Sequence, residues 1–121
     1  MRVLVLADDL IWSTRLVADV RACGADAVPV RTLVALEKAI PAADAVIVDL
    51  TARAYDGIAA IALASTAGLR VMAVGQHDDV ELRRRALDAG AELVRPYRRL
   101  FEDGQATLAR WLTAPVEAPA G

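Results

Sequence analysis

Five short apolar runs recur along the chain, and each is followed by a segment whose apolar residues have helical spacing. The runs predict strands over Val3–Leu6, Ala27–Val30, Ala45–Leu50, Leu69–Val74 and Leu93–Arg95. The segments that follow them predict helices over Leu10–Cys23, Leu33–Ile40, Ile58–Ala67, Asp79–Ala89 and Leu100–Leu112. Because strand and helix alternate throughout, the strands are expected to lie parallel in one sheet with helices on both faces. The pattern therefore predicts a three-layer, doubly wound α/β fold built from five βα units.

A proline in the second apolar run constrains the order of the strands. Pro29 has no N–H to donate to a neighbouring strand, so its strand is expected at an edge of the sheet. This position favours the order 2-1-3-4-5. Ligands of such sheets bind outside the carboxyl ends of the strands, near the point where the strand order reverses.

Polar residues mark where two of the helices begin. Thr32 is a candidate N-cap for the second helix, which Pro41 is expected to stop. Asp78 and Glu81 have the spacing of a capping box at the start of the fourth helix.

Length and charge limit the classes of function. The 121 residues fit one domain over 1–113, followed by an alanine- and proline-rich tail over 114–121 that is predicted to be disordered. A formal net charge of −2 gives no global attraction to nucleic acid or to an anionic membrane, so neither is expected as a direct partner. The apolar start of the chain ends at Asp8, too early for a signal peptide or a membrane span. We therefore expect a cytoplasmic protein.

Acidic residues end two of the predicted strands. Asp8 and Asp9 follow the first strand and Asp49 lies at the end of the third, so all three are expected at one edge of the sheet. Two carboxylates ~4 Å apart repel by roughly 4 kcal/mol at an effective dielectric of about 20. A cation or a bound proton must relieve that repulsion, and oxygen ligands suit Mg²⁺. Alternatively, Asp8 and Asp9 only cap the first helix, and Asp49 is an exposed strand-end residue.

Several short motifs occur in a distinctive order. They are Val3–Asp9, Asp44–Asp49, Asp56-Gly57, His77–Glu81, Ala86–Ala91 and Arg95-Pro96-Tyr97. In order and spacing, from Met1 to about Leu112, they resemble the receiver domains of bacterial two-component response regulators. The resemblance implies a flavodoxin-like receiver fold and a role in phosphorelay signal transduction.

The resemblance also implies roles for individual residues. Asp49 would accept a phosphoryl group from a histidine kinase or a phosphotransfer protein. Mg²⁺ would be held by Asp8, Asp9, Asp49 and the backbone carbonyl of Thr51. Any catalysis would be limited to phosphorylation and dephosphorylation of the protein's own Asp49.

The sequence departs from the receiver pattern at several places, among them Ala52-Arg53, which stands where receivers carry Met-Pro after the acceptor. Gly75 stands where receivers carry Thr or Ser at the end of the fourth strand, and Arg95 stands in place of the fifth-strand Lys. No aromatic switch residue precedes Arg95, since that region reads Glu92-Leu93-Val94. Two functions therefore stay open: an atypical receiver that is phosphorylated on Asp49, or a pseudo-receiver that binds proteins or dimerises without phosphorylation. A small-molecule-binding domain of unrelated origin is a third interpretation, for which no cofactor loop is visible.

Basic residues cluster on the fourth helix and after the fifth strand. A homodimer could form through this face, with the residues Arg83, Arg84, Tyr97, Arg98 and Arg99. The alternative is that the arginines form a solvated helix surface.

Overall fold

The computed structural model describes residues 1–76 and 78–114. His77 and the predicted disordered tail, apart from Ala114, lie outside the described residues.

The five apolar runs form one parallel sheet. Its strands are β1 (Arg2–Leu6), β2 (Asp26–Val30), β3 (Ala45–Asp49), β4 (Arg70–Gly75) and β5 (Leu93–Pro96), in the order β2-β1-β3-β4-β5. All neighbouring strands pair in parallel, with Val5 opposite Ile47 and Val48 opposite Ala73. The predicted order is confirmed, and the strand that contains Pro29 lies at the edge. The central strands are apolar on both faces because helices cover both.

Helices pack on the two faces of the sheet. They are α1 (Leu10–Ala22), α2 (Leu33–Ala39), α3 (Gly57–Thr66), α4 (Val80–Ala89) and α5 (Tyr97–Thr113). Side chains of α2, α3 and α4 fill the core on one face, and those of α1 and α5 fill it on the other. Within residues 1–76 and 78–114, no helix combines the length and the apolar character that crossing a bilayer requires.

Two helix ends differ from the sequence-based expectations. The second helix stops at Ala39 and a 3₁₀ turn follows over Ile40–Ala42, because a proline at 41 disfavours continued α-helix. The fourth helix is capped by Asp79 and not by Asp78: the Asp79 carboxylate accepts the Leu82 N–H at 3.0 Å. The predicted Thr32 cap is confirmed, since its hydroxyl accepts the Ala35 N–H at 3.1 Å.

The fifth helix begins three residues earlier than predicted. It starts at Tyr97, directly after Pro96 at the end of β5, and it contains a kink at Asp103, whose φ of −147° and ψ of 45° are not helical. The sequence pattern predicted only the later, periodic part of this helix. The early start places Tyr97 at the carboxyl edge of the sheet, beside the ends of β1 and β3.

Candidate functional site

A cavity of about 480 Å³ opens at the carboxyl ends of β1 and β3. Its walls are formed by Asp8, Asp9, Trp12, Asp49, Thr51, Arg53, Tyr97 and Phe101. We call it the acidic cavity. The structure thus brings together the three carboxylates that the sequence placed at this edge.

Asp49 is held by hydrogen bonds to a single carboxylate oxygen. It ends β3 and is only 3% exposed. Its Oδ1 accepts the Thr51 N–H at 2.9 Å and the Thr51 hydroxyl at 3.0 Å. The Tyr97 hydroxyl donates to the same oxygen. These contacts compensate for the burial of the carboxylate, since a buried anion is tolerated only when donors surround it.

The other two carboxylates hold the backbone around the cavity. Asp8 Oδ2 accepts the N–H groups of Arg53 and Ala54 at 2.9 and 3.2 Å, which fastens the loop after β3. Asp9 Oδ1 accepts the Trp12 N–H at 2.9 Å and caps α1. The capping alternative is therefore correct for Asp9, whereas Asp8 holds a loop and does not cap the helix.

The chemistry of this donor set suits Mg²⁺, but the arrangement does not. One oxygen of each of Asp8, Asp9 and Asp49 is already engaged by N–H or O–H donors. Within the described part of the chain, no group of three or more His, Cys, Asp or Glu side chains is arranged to hold a metal ion. As the side chains stand, the residues do not fit the metal.

Leu50 occupies the space beside Gly75, where a receiver would carry a hydroxyl. A Cβ atom built on Gly75 would lie 3.3 Å from Leu50 Cδ1. A Cβ on Gly57 would lie 3.1 Å from Leu50 Cδ2. Leu50 is therefore packed between two glycines, and a larger residue at position 75 requires it to move.

Arg95 lies outside the acidic cavity. It lines a separate cavity with Arg99 and Trp111, and its guanidinium contacts the carbonyl of its neighbour Val94 at 3.4 Å. Successive strand side chains alternate between the two faces of a sheet, so Arg95 shares the side of Leu93, beneath α5. The expectation that Arg95 replaces the receiver lysine at Asp49 is not met. Tyr97 contacts Asp49 instead, and its place on the dimer face stays a prediction.

The roles of the two tyrosines in the structure did not follow from the sequence. Tyr55 is 9% exposed, and its hydroxyl lies 2.9 Å from the Leu6 carbonyl oxygen and 2.7 Å from that of Asp49, so it links the ends of β1 and β3. Tyr97 packs edge-on against Trp12, with ring centroids 5.1 Å apart. Tyr55 did have a sequence signal: it is an aromatic residue with a polar tip, in a loop otherwise made of small and polar residues.

We expect the native protein to show almost no tyrosinate absorbance at about pH 10, the ordinary tyrosine pKa. Burial raises the pKa of both tyrosines, and the Asp49 carboxylate raises each further. A phenol whose folded-state pKa is raised stabilises the fold below its unfolded pKa, and this stability is lost as the pH rises above it. The melting temperature should therefore fall above about pH 10.

The measurement is an absorbance titration of folded and denatured protein. Since the chain has two tyrosines, Tyr97→Phe assigns each half of the signal. If half of the tyrosinate absorbance of the folded protein developed at the ordinary tyrosine pKa, the contact between Tyr97 and Asp49 would be contradicted.

Comparison with solved structures identifies the fold. The receiver domain of a Francisella response regulator is 16% identical with a TM-score of 0.74, and the match covers 88% of this chain and 92% of that one. A CheY-like receiver domain from Methanospirillum hungatei is 18% identical with a TM-score of 0.72 over 88% and 92% of the two chains. The beryllofluoride-activated DrrB receiver domain is 16% identical with a TM-score of 0.81 over 93% and 97%.

These matches define the class of fold. No protein-family model matches the sequence, and no curated protein matches it. At identities this low the similarity is one of architecture. The chain therefore has the flavodoxin-like receiver fold of response regulators.

Proposed function

We propose that this protein is an atypical receiver domain of two-component signalling that binds a partner protein without being phosphorylated. The observation that carries the proposal is the bond from the Tyr97 hydroxyl to Asp49. Three donors on one oxygen draw electron density from the carboxylate and weaken it as a nucleophile. A phosphoryl group on Oδ1 would also need the space that this hydroxyl occupies.

The surroundings of Asp49 also lack the side chains that would contact a phosphoryl group and couple it to a conformational change. Gly75 has no hydroxyl, and Arg95 lines a different cavity. A bound group shifts a conformational equilibrium only through contacts that differ between the two states. Phosphorylation of Asp49 would therefore have little effect on the shape of the domain.

The partner we propose is a second copy of this chain, bound through α4. Val80 and Leu87 are 72% and 43% exposed, and they lie seven residues apart on the same side of α4. Around them the helix carries both signs of charge, with Arg84 paired to Glu81 at 2.6 Å and to Asp88 at 3.1 Å. A two-fold axis brings the same patch of both copies together, so mixed charge around an apolar pair is self-complementary.

The solution mass from light scattering tests the proposed function. We expect a dimer whose mass is unchanged by Mg²⁺ with beryllofluoride, a phosphoryl mimic. Val80→Glu should give a monomer, whereas the control Ile11→Glu, at an 85% exposed residue of α1, should stay dimeric. A monomer under all conditions would exclude the dimer, and a mass that shifts with beryllofluoride would favour a phosphorylation-dependent function.

A second candidate function is Mg²⁺-dependent phosphoryl acceptance at Asp49 from a histidine kinase or phosphotransfer protein. It is favoured by the position of Asp8, Asp9 and Asp49 on the wall of one cavity. This function requires Tyr97 to leave Asp49. Incubation with Mg²⁺ and a small phosphodonor would then add one phosphate to the intact mass, and Asp49→Ala would abolish the adduct.

A further inference from the structure

A second cavity, of about 270 Å³, lies between α5 and the edge strand β5. Its walls are formed by Arg70, Met72, Glu92, Leu93, Arg95, Arg99, Thr107, Arg110, Trp111 and Ala114. We call it the arginine cavity. It shares no lining residue with the acidic cavity, and neither proposed function uses it.

The arginine cavity has an excess of positive charge. Four of its lining residues are arginines and one is a glutamate. The glutamate is already committed, since Glu92 accepts from Arg70 Nε at 2.9 Å and from Arg70 Nη2 at 3.0 Å. Arg110 approaches the Asp103 carboxylate only to 4.0 Å, at an exposed position. Among the described residues, Arg95 and Arg99 form no ion pair.

Two buried donors on the same wall lack an acceptor. Thr107 and Trp111 are 4% and 3% exposed and lie one turn apart on α5. The Thr107 hydroxyl and the Trp111 indole N–H have no hydrogen-bond partner among the described residues. Buried polar groups in native proteins are nearly always satisfied, so an acceptor bound in this cavity would supply a partner that the described residues do not.

The electrostatics of Arg95 agree with this geometry. Burial lowers the pKa of its guanidinium, and the neighbouring Arg99, Arg83 and Arg110 lower it further. An arginine nevertheless stays charged in a protein. The positive charge of the cavity therefore exceeds the charge of Glu92, and no carboxylate of the described residues pairs with Arg95 or Arg99, so an anion would relieve the repulsion between them.

We propose that the arginine cavity binds the phosphate group of a small soluble molecule. Arginine and tryptophan can only donate hydrogen bonds, so the ligand must present several acceptor oxygens and negative charge. Guanidinium groups match phosphate oxygens with two parallel hydrogen bonds, and a phosphate has further oxygens for a second arginine, whereas chloride offers no such paired acceptors. The volume is small for a complete drug-sized ligand, so it suits a phosphate or phosphomonoester group whose remainder projects outward.

The experiment uses inorganic phosphate as the probe and the indole N–H resonance of Trp111 as the readout. The chain has two tryptophans, and Trp12→Phe assigns the two resonances. At constant ionic strength, phosphate should shift the Trp111 resonance with a half-point of about 1 mM or lower, and chloride should not. The Trp12 resonance, which reports on the acidic cavity, should stay in place.

Substitutions distinguish specific phosphate binding in the arginine cavity from a general electrostatic attraction of phosphate to the protein. Arg95→Met should weaken phosphate binding by about tenfold through the loss of a charge-assisted hydrogen bond. If that variant does not fold, Arg110→Met, at a 64% exposed side chain, takes its place. The control is Arg2→Met, which removes the same charge from an exposed side chain of β1, outside this cavity. A Trp111 resonance unmoved by phosphate, or equal weakening in the control, would overturn the proposal.

A lipid headgroup could present the same phosphomonoester at a membrane surface. Glycerol 3-phosphate and vesicles of phosphatidic acid distinguish the two sources. Saturable binding of the soluble ester supports the proposal, and binding to vesicles alone overturns it. This proposal is independent of the dimer and of Asp49, because no residue that lines the arginine cavity lines the acidic cavity or belongs to α4.

Discussion

Replacing Tyr97 by phenylalanine is expected to raise the affinity of the acidic cavity for Mg²⁺ by about tenfold or more. The substitution removes one hydroxyl and frees Asp49 Oδ1 from one of its three donors. A hydrogen bond to a charged acceptor is worth about 1.5–3 kcal/mol, and each 1.4 kcal/mol corresponds to about tenfold in affinity. The fluorescence of Trp12, which lines the same cavity, gives the binding curve, after Trp111→Phe in all proteins compared.

The control for this prediction is Phe101→Leu, which alters the rim of the acidic cavity without touching Asp49. Its Mg²⁺ affinity should equal that of the wild type. Asp49→Asn in the Tyr97→Phe background should remove the gain. Equal Mg²⁺ affinity in the wild type and in Tyr97→Phe would show that the tyrosine hydroxyl does not keep the metal from Asp49.

Gly90→Ala is expected to lower the free energy of unfolding by about 3 kcal/mol, a large part of the stability of a small domain. Gly90 ends α4 with a φ of +122°, which side chains with a Cβ rarely adopt. A Cβ there would also lie 2.1 Å from Ser65 Oγ and 2.5 Å from Ser65 Cβ. The hydroxyl can rotate away, but Ser65 Cβ is fixed to α3, so the helices must separate. Chemical denaturation measures the loss.

Gly68→Ala separates the two causes. Gly68 has a φ of +88°, and a Cβ there meets nothing within 4 Å, so only the backbone conformation is penalised, by about 1 kcal/mol. Adding Ser65→Gly to Gly90→Ala should recover part of the stability by removing the clash. Equal losses at positions 68 and 90 would rule out the contact between α3 and α4 as a cause.

The order of the strands could be predicted from the sequence because it depends on local patterns. Continuous apolar runs predict strands that are buried on both faces, and a proline inside one of them limits that strand to an edge. The positions of Asp8, Asp9 and Asp49 follow from that order, since Asp49 ends β3 and the other two come shortly after β1. None of these conclusions needed the conformation of a side chain.

The contact between Tyr97 and Asp49 could not be predicted from the sequence, because it depends on where α5 begins. The pattern Arg95-Pro96-Tyr97 aligned Arg95 with a lysine, whereas β5 directs Arg95 beneath α5 and the early start of the helix directs Tyr97 to Asp49. An earlier start of α5 leaves the hydrophobic periodicity of that helix unchanged, so the sequence pattern does not reveal it. Asp9 was ambiguous for another reason: a helix N-terminus and a cation both attract a carboxylate.

The packing of Leu50 between Gly57 and Gly75 has a consequence for the history of the domain. A threonine at position 75 can be accommodated only if Leu50 becomes smaller or shifts, and a smaller residue at 50 alone would leave a void beside both glycines. Each single replacement is therefore disfavoured until the other has occurred. Such epistasis makes substitutions at positions 50 and 75 more favourable together than singly.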